Sequence, residues 1–192
     1  VLERFAPICR RRGETLRGDG YEAAARDLRA AAENCWDGDW YLRAFYDDGT
    51  PMGGEGSEEC AMDSVAQSFA AFAGGRMAHR ALISAAGELF DREAGIVKLL
   101  TPPFDLGDKS PGYIAGYVPG VRENGGQYTH AAVWLGMACL ENGMRDTGWE
   151  VLSAIAPDGR EQSVYRSEPY AICADVYSNP QHRGRGGWSW YT

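Results

Sequence analysis

Apolar positions recur at helical spacing through residues 19–34, where Tyr21, Ala24, Ala25, Leu28, Ala31 and Ala32 form one stripe and charges fill the other face. The pattern predicts a helix there, with Asp19 in its N-cap region. Further helices are expected over residues 63–73, 76–90, 129–140 and 146–155. In the first two of these, Val65, Phe69 and Phe72, then Met77, Ala81, Ala85 and Leu89, each fall on one side. Gly74-Gly75 separates that pair as an αα-hairpin turn, and Asn142-Gly143 ends the next helix. Pro157-Asp158-Gly159 turns the chain, and a last helix is expected over residues 168–177 with Pro169 in its first turn.

Between these helices the pattern changes. Residues 40–46 are dense in aromatics and read as a short extended stretch that ends in a hairpin or loop at Asp47-Asp48-Gly49-Thr50-Pro51. Residues 101–127 contain Pro102, Pro103, Pro111 and Pro119 and form the longest non-helical stretch, the kind of loop that usually carries function. Helix pairs joined alternately by short turns and long loops predict an all-α chain, an α/α toroid or part of one.

The 192 residues suffice for one ordinary domain, with 44% apolar and 24% charged side chains. The net charge of −8 argues against a nucleic-acid partner, which requires a positive face. No apolar run reaches the roughly 20 residues that span a bilayer, so no membrane insertion is expected. Residues 1–12 lack the marks of a signal peptide. Cys9, Cys35, Cys60, Cys139 and Cys173 include no CxxC pair, which predicts reduced thiols of a cytoplasmic protein and no metal. The missing initiator Met and the end at Thr192 predict a piece of a longer chain.

Three segments could carry chemistry. In Trp36-Asp37-Gly38-Asp39-Trp40 two carboxyls lie between two indoles. A carboxyl packed on apolar rings can stay protonated as a general acid; the plainer alternative is a turn with core tryptophans. In Arg122-Glu123-Asn124-Gly125-Gly126-Gln127-Tyr128-Thr129-His130, several polar groups could fix sugar hydroxyls, and His130 near a helix start suits an oxyanion. The alternative is a Gly-rich cap. The tail, residues 183–192, mixes Arg, Gly and Trp as a pocket wall could.

Taken in order, several stretches resemble the motifs of glycoside hydrolase family 94, the cellobiose and chitobiose phosphorylases. They are Trp36-Asp37-Gly38-Asp39-Trp40-Tyr41-Leu42-Arg43-Ala44, Thr101-Pro102-Pro103-Phe104-Asp105, Pro111-Gly112-Tyr113-Ile114 and residues 119–130. Glu168-Pro169-Tyr170, Ala174-Asp175-Val176-Tyr177 and residues 184–192 continue the series. The resemblance covers roughly residues 30–192 and is strongest to the C-terminal, phosphorylase-like region of cyclic β-1,2-glucan synthases.

This resemblance implies part of an (α/α)6 barrel, roughly its second half, as a single catalytic-domain fragment over residues 1–192. The first barrel half and a β-rich domain are absent, as is the family's arginine-rich segment upstream of the acid. The implied reaction is inverting phosphorolysis or synthesis of β-linked gluco-oligosaccharides with phosphate or α-glucose 1-phosphate. Phosphate is a co-substrate, and no other cofactor is implied. By motif position, Asp37 is the general acid, with Asp39 as fallback. Trp36, Trp40, Arg122, Glu123 and Gln127 contact the sugar, and His130 and Thr192 contact phosphate.

The alternative is a non-catalytic carbohydrate-binding or chain-length-sensing module on the same barrel. A hydrolase would need a second carboxylate, for which Glu123 and Asp175 are the candidates. The parent protein is expected in the cytoplasm or at the inner membrane, completed by its remaining residues or by a homodimer partner. Weak or no turnover is expected from the chain alone.

Overall fold

The computed structural model describes residues 1–105 and 107–188 and divides them into two compact units, which meet in sequence at Trp36 and Asp37. The first unit holds α1 (Leu2–Arg11) and α2 (Thr15–Glu33), an antiparallel pair. The second helix starts four residues before the expected position. Gly18 lies inside it, where a Cβ would sit 2.9 Å from the Ala6 carbonyl oxygen. Asp19 is accordingly no cap: its carboxylate and that of Glu22 each lie 2.6 Å from the Arg10 guanidinium.

The second unit is built on two helical hairpins. Helices α3 (Ser64–Phe72) and α4 (Ala78–Leu89) form one, and α5 (Thr129–Glu141) and α6 (Arg145–Ile155) the other. Asp63 caps α3, its Oδ1 accepting from the N–H groups of Val65 at 2.8 Å and Ala66 at 3.2 Å. Gly74 and Gly143 end α3 and α5 in the left-handed region, with φ of 73° and 79°. Leu82, Leu89, Leu135, Val151 and Ile155 interlock in the shared core. Helices α5 and α6 approach at glycines: a Cβ on Gly148 would meet Leu140 Cγ at 2.7 Å and the Gly136 carbonyl at 2.9 Å.

Among the described residues the helix-rich chain also carries eight two-residue strands that pair as four antiparallel ribbons, which corrects the all-α expectation. They are β1 (Ala44–Phe45) with β2 (Pro51–Met52), β3 (Met62–Asp63) with β6 (Leu100–Thr101), β4 (Phe90–Asp91) with β5 (Ile96–Val97), and β7 (Gln127–Tyr128) with β8 (Asp175–Val176). The first is the expected hairpin. The last replaces the expected helix over residues 168–177, because Asp175 and Val176 are buried and their backbone is used by β7. The nearest preceding helix is the single turn α7 (Gln162–Tyr165).

No closed barrel forms among the described residues. No described helix is long and apolar enough to cross a membrane. All five cysteines are free, and burial pushes the Cys60 and Cys139 thiols up to about 12 and about 11, far from nucleophilic at neutral pH.

Candidate active site

The ribbons and long loops gather two groups of polar side chains. The first surrounds Asp37. Its backbone N–H donates to the Trp40 carbonyl at 2.9 Å, and its Oδ2 accepts from the Glu55 N–H at 2.9 Å. The carboxylate is exposed and lines a cavity of about 470 Å³ together with Tyr46, Ser57, Glu59 and Lys109. Gly54 lies against it so closely that a Cβ would fall 2.5 Å from Oδ2.

Glu59 and Lys109 tie the long loop to this cavity. Oε1 of Glu59 accepts from the N–H groups of Asp105 at 2.7 Å and Gly107 at 2.9 Å. Lys109 donates to Asp48 Oδ2 at 2.7 Å and lies 5.1 Å from the Tyr46 ring centroid. The ammonium and neighbouring hydrogen bonds hold the Asp48 carboxyl well below the usual range. Burial pushes the Tyr46 hydroxyl up. Sequence reasoning passed over Glu59 and Lys109 because nothing in their spacing marks a loop anchor.

Asp39, the fallback acid, is engaged elsewhere. Its carboxylate accepts from Arg80 Nε at 2.9 Å, and its carbonyl accepts from the Ser84 hydroxyl at 2.9 Å, so it fastens the motif to α4. Trp40 turns into the helical core, and its Nε1–H donates to the carbonyls of both Gly53 and Ala61 at 2.8 Å. Trp36 is the last residue of the first unit.

The second group forms where residues 121–130 meet β8 and the segment after it. Arg122 adopts φ of 51°, unusual for a side-chain-bearing residue, and its guanidinium carbon lies 4.2 Å from the Trp188 ring centroid and 5.4 Å from that of Tyr117. Asp175 is 1% exposed, with Oδ1 accepting from the Trp188 N–H at 2.9 Å. Asp175 Oδ2 and Glu123 Oε2 are both buried and have no hydrogen-bond partner among the described residues. Burial, and then the Glu123 charge, push the Asp175 carboxyl up, against the pull of the Trp188 N–H and Arg122. Burial and the same carboxylates push the Tyr128 hydroxyl up as well.

Asn124 shapes this turn from inside. Its Oδ1 accepts from the Phe104 N–H at 2.7 Å, and its Nδ2 donates to the carbonyls of Phe104 at 2.7 Å and Tyr117 at 2.8 Å. Gln127 is also internal: it is 1% exposed, its Oε1 accepts from the Val97 N–H at 3.0 Å, and its Nε2 donates to the Thr129 hydroxyl at 3.3 Å. His130 is exposed at the start of α5, its ring 6.1 Å from that of Tyr128 and 6.3 Å from that of Trp134. Thr192 lies outside the described residues. The structure therefore brings Arg122 and Glu123 together with Asp175 and Trp188, and sets Asp37 in a cavity of its own lining.

The second unit thus carries a carboxylate-lined cavity and an arginine–aromatic cluster on loops between helical hairpins. The chain belongs to the glycosyl hydrolase 94 superfamily, whose catalytic-domain model matches residues 1–192. It is 41% identical over 201 aligned residues to the cyclic β-(1,2)-glucan synthase NdvB of Rhizobium meliloti (strain 1021), a match covering 100% of this chain and 7% of that protein. It is 31% identical to the solabiose phosphorylase of Paenibacillus borealis, covering 94% of this chain and 24% of that protein. It is 26% identical to the N,N'-diacetylchitobiose phosphorylase of Vibrio furnissii, covering 100% and 25%. The chain thus spans a quarter or less of the length of these relatives.

Proposed function

We propose that this chain is the acid-bearing portion of an inverting carbohydrate phosphorylase acting on β-linked gluco-oligosaccharides of β-1,2-glucan type. The observation that carries this reading is the placement of Asp37. An exposed carboxyl with one oxygen held by the Glu55 N–H has its other oxygen free to meet a glycosidic oxygen in the cavity. The match to a β-(1,2)-glucan synthase along the whole chain supports the linkage.

In this reading Asp37 gives its proton to the glycosidic oxygen as the bond from that oxygen to the anomeric carbon breaks. A phosphate oxygen attacks the same carbon from the opposite face. The products are α-glucose 1-phosphate and an oligosaccharide one unit shorter. Phosphate takes the place of the base-activated water of an inverting hydrolase, so one catalytic carboxyl suffices. By motif position Arg122 and Glu123 are assigned to the sugar and His130 and Thr192 to the phosphate, although Arg122, Glu123 and His130 do not line the Asp37 cavity. Trp40 and Gln127, whose polar atoms are engaged internally, shape the sugar subsite from behind, and Trp36 keeps the sugar contact that its motif position implies. Helices α3 to α6 form part of an (α/α)6 toroid completed by the rest of a longer polypeptide.

The test is substitution of Asp37 in the full-length protein. Asp37→Asn is expected to abolish phosphorolysis with the fold intact, whereas Asp39→Asn retains it because Asp39 is committed to Arg80. Normal turnover by Asp37→Asn overturns the reading. A second reading, a carbohydrate-binding module without turnover, is supported by the arginine–aromatic cluster, which can hold a sugar ring without an acid. It predicts oligosaccharide binding that ignores phosphate.

A further inference from the structure

We propose that Asp175 is a positioning residue of the sugar subsite, a strut that holds the Arg122–Glu123 turn against the Gly187–Trp188 segment. The inference rests on the phosphorylase reading above and adds a residue to it.

Asp175 is fixed through its backbone and its carboxylate, and it faces the Arg122–Glu123 turn. Its backbone pairs with Tyr128 in the β7–β8 ribbon, immediately before α5. Its carbonyl accepts from the Gly187 N–H at 2.8 Å while its Oδ1 accepts from the Trp188 N–H at 2.9 Å, so one residue grips two successive amides. On its third side lies the Arg122–Glu123 turn, whose opposite charges pull the Asp175 carboxyl's pKa down and push it up.

The segment passes the carboxyl at a distance only glycine permits. A Cβ on Gly187 would fall 2.3 Å from Asp175 Oδ1. Trp188, placed by that contact, lies under the Arg122 guanidinium at 4.2 Å. Arg122 is thus stacked on a ring whose backbone Asp175 holds, while its own backbone keeps a left-handed turn beside the same carboxyl. Removing the carboxylate takes away one of the bonds that place Trp188, whose carbonyl still accepts from the Ala174 N–H, and so loosens the ring on which the guanidinium stacks.

The unpartnered oxygens complete the argument. Asp175 Oδ2 and Glu123 Oε2 are two buried acceptors in one cluster with no donor among the described residues. Buried acceptors normally find donors. Glu123, half-buried, can receive one from a sugar hydroxyl, whereas Asp175 is enclosed and reaches the ligand only through its neighbours.

The test compares Asp175→Ala and Asp175→Asn in the full-length protein, using a β-1,2-gluco-oligosaccharide and inorganic phosphate. Asp175→Ala is expected to raise KM for the oligosaccharide by about tenfold or more, beyond any loss of kcat. Asp175→Asn, which keeps an acceptor for the Trp188 N–H, is expected to restore KM to within about threefold of the wild type. A merely structural role lowers kcat in proportion to folded protein and leaves KM unchanged, and that result overturns the proposal. So does an Asn variant as impaired as Ala.

The same variants are titrated with oligosaccharide by calorimetry. If the wild type binds sugar but turns nothing over with phosphate, the phosphorylase reading fails on its own. The strut then stands if affinity is lost in Ala and restored in Asn, and falls if affinity is unchanged. A wild type that binds no oligosaccharide overturns both.

Discussion

Arg43 Nε lies 3.1 Å from Oδ2 of Asp63, a carboxylate only 2% exposed whose other oxygen caps α3. One side chain therefore joins the motif that bears Asp37 to the start of the helical core. Burial pushes the Asp63 carboxyl up, and Arg43 pulls it back. Arg43→Ala leaves this carboxylate without its cation and is expected to cost about 2–3 kcal/mol, below the full value for a buried pair because the arginine is partly exposed. Asp63→Asn keeps a capping oxygen and is expected to cost about 1 kcal/mol. The double variant should recover part of the sum, and urea midpoints at constant m-value measure the coupling. Strict additivity contradicts the pairing.

The raised pKa of Asp175 makes a signed prediction. An acid whose folded pKa exceeds its unfolded value binds more protons in the folded state. Its contribution to stability is full below the unfolded value, near 3.8, and is lost as pH rises through the folded value. The groups facing it are Arg122, Glu123 and Tyr128, of which Arg122 alone opposes the rise as a cation. Asp175→Asn is permanently neutral. It should melt at or above the wild-type temperature near about pH 7, and the difference should vanish near about pH 3. A variant less stable at neutral pH contradicts this.

Glu59 holds two loop amides beside the Asp37 cavity. Glu59→Ala removes the one oxygen that accepts from both amides, and the loop should be cut sooner in limited proteolysis. Turnover should fall about tenfold through loss of loop placement, with the melting temperature nearly unchanged. Unaltered cleavage shows that other contacts hold the loop.

Gly148 is a point of close approach between α5 and α6. Gly148→Ala drives a methyl group into Leu140 and the Gly136 carbonyl, at an expected cost of about 1–3 kcal/mol despite alanine's better helix propensity. Gly87, on α4 with nothing within 4 Å of a Cβ, provides the control, since alanine there should stabilise by up to about 1 kcal/mol. Chemical denaturation of the two variants separates crowding from propensity.

Helices α3, α4 and α6 were legible because their apolar positions follow one face, α5 because it is a nearly continuous apolar run, and the ends carry Gly-Gly, Asn-Gly or an N-capping Asp. Helix α2 begins four residues before its visible stripe because Gly18 approaches α1, a contact that local pattern does not display. Residues 168–177 carry apolar groups at helix-compatible spacing, yet Asp175 and Val176 are taken by a strand far away in sequence, at Gln127 and Tyr128. Two-residue strands hold by tertiary pairing and leave almost no periodic signal. At the site, motif order pointed to Asp37, Arg122 and Glu123, which the structure sets in two separate groups. It did not distinguish a ligand-facing Gln127 from one spent on Val97 and Thr129, because burial is a property of the assembled loops.

The central claim is that phosphate, not water, is the nucleophile. The most direct measurement incubates the full-length protein with a β-1,2-gluco-oligosaccharide, with and without inorganic phosphate, and follows the products by proton NMR. The account predicts α-glucose 1-phosphate, formed only when phosphate is present, with the anomeric configuration inverted. Free glucose released without phosphate, or a β-configured sugar phosphate, contradicts it.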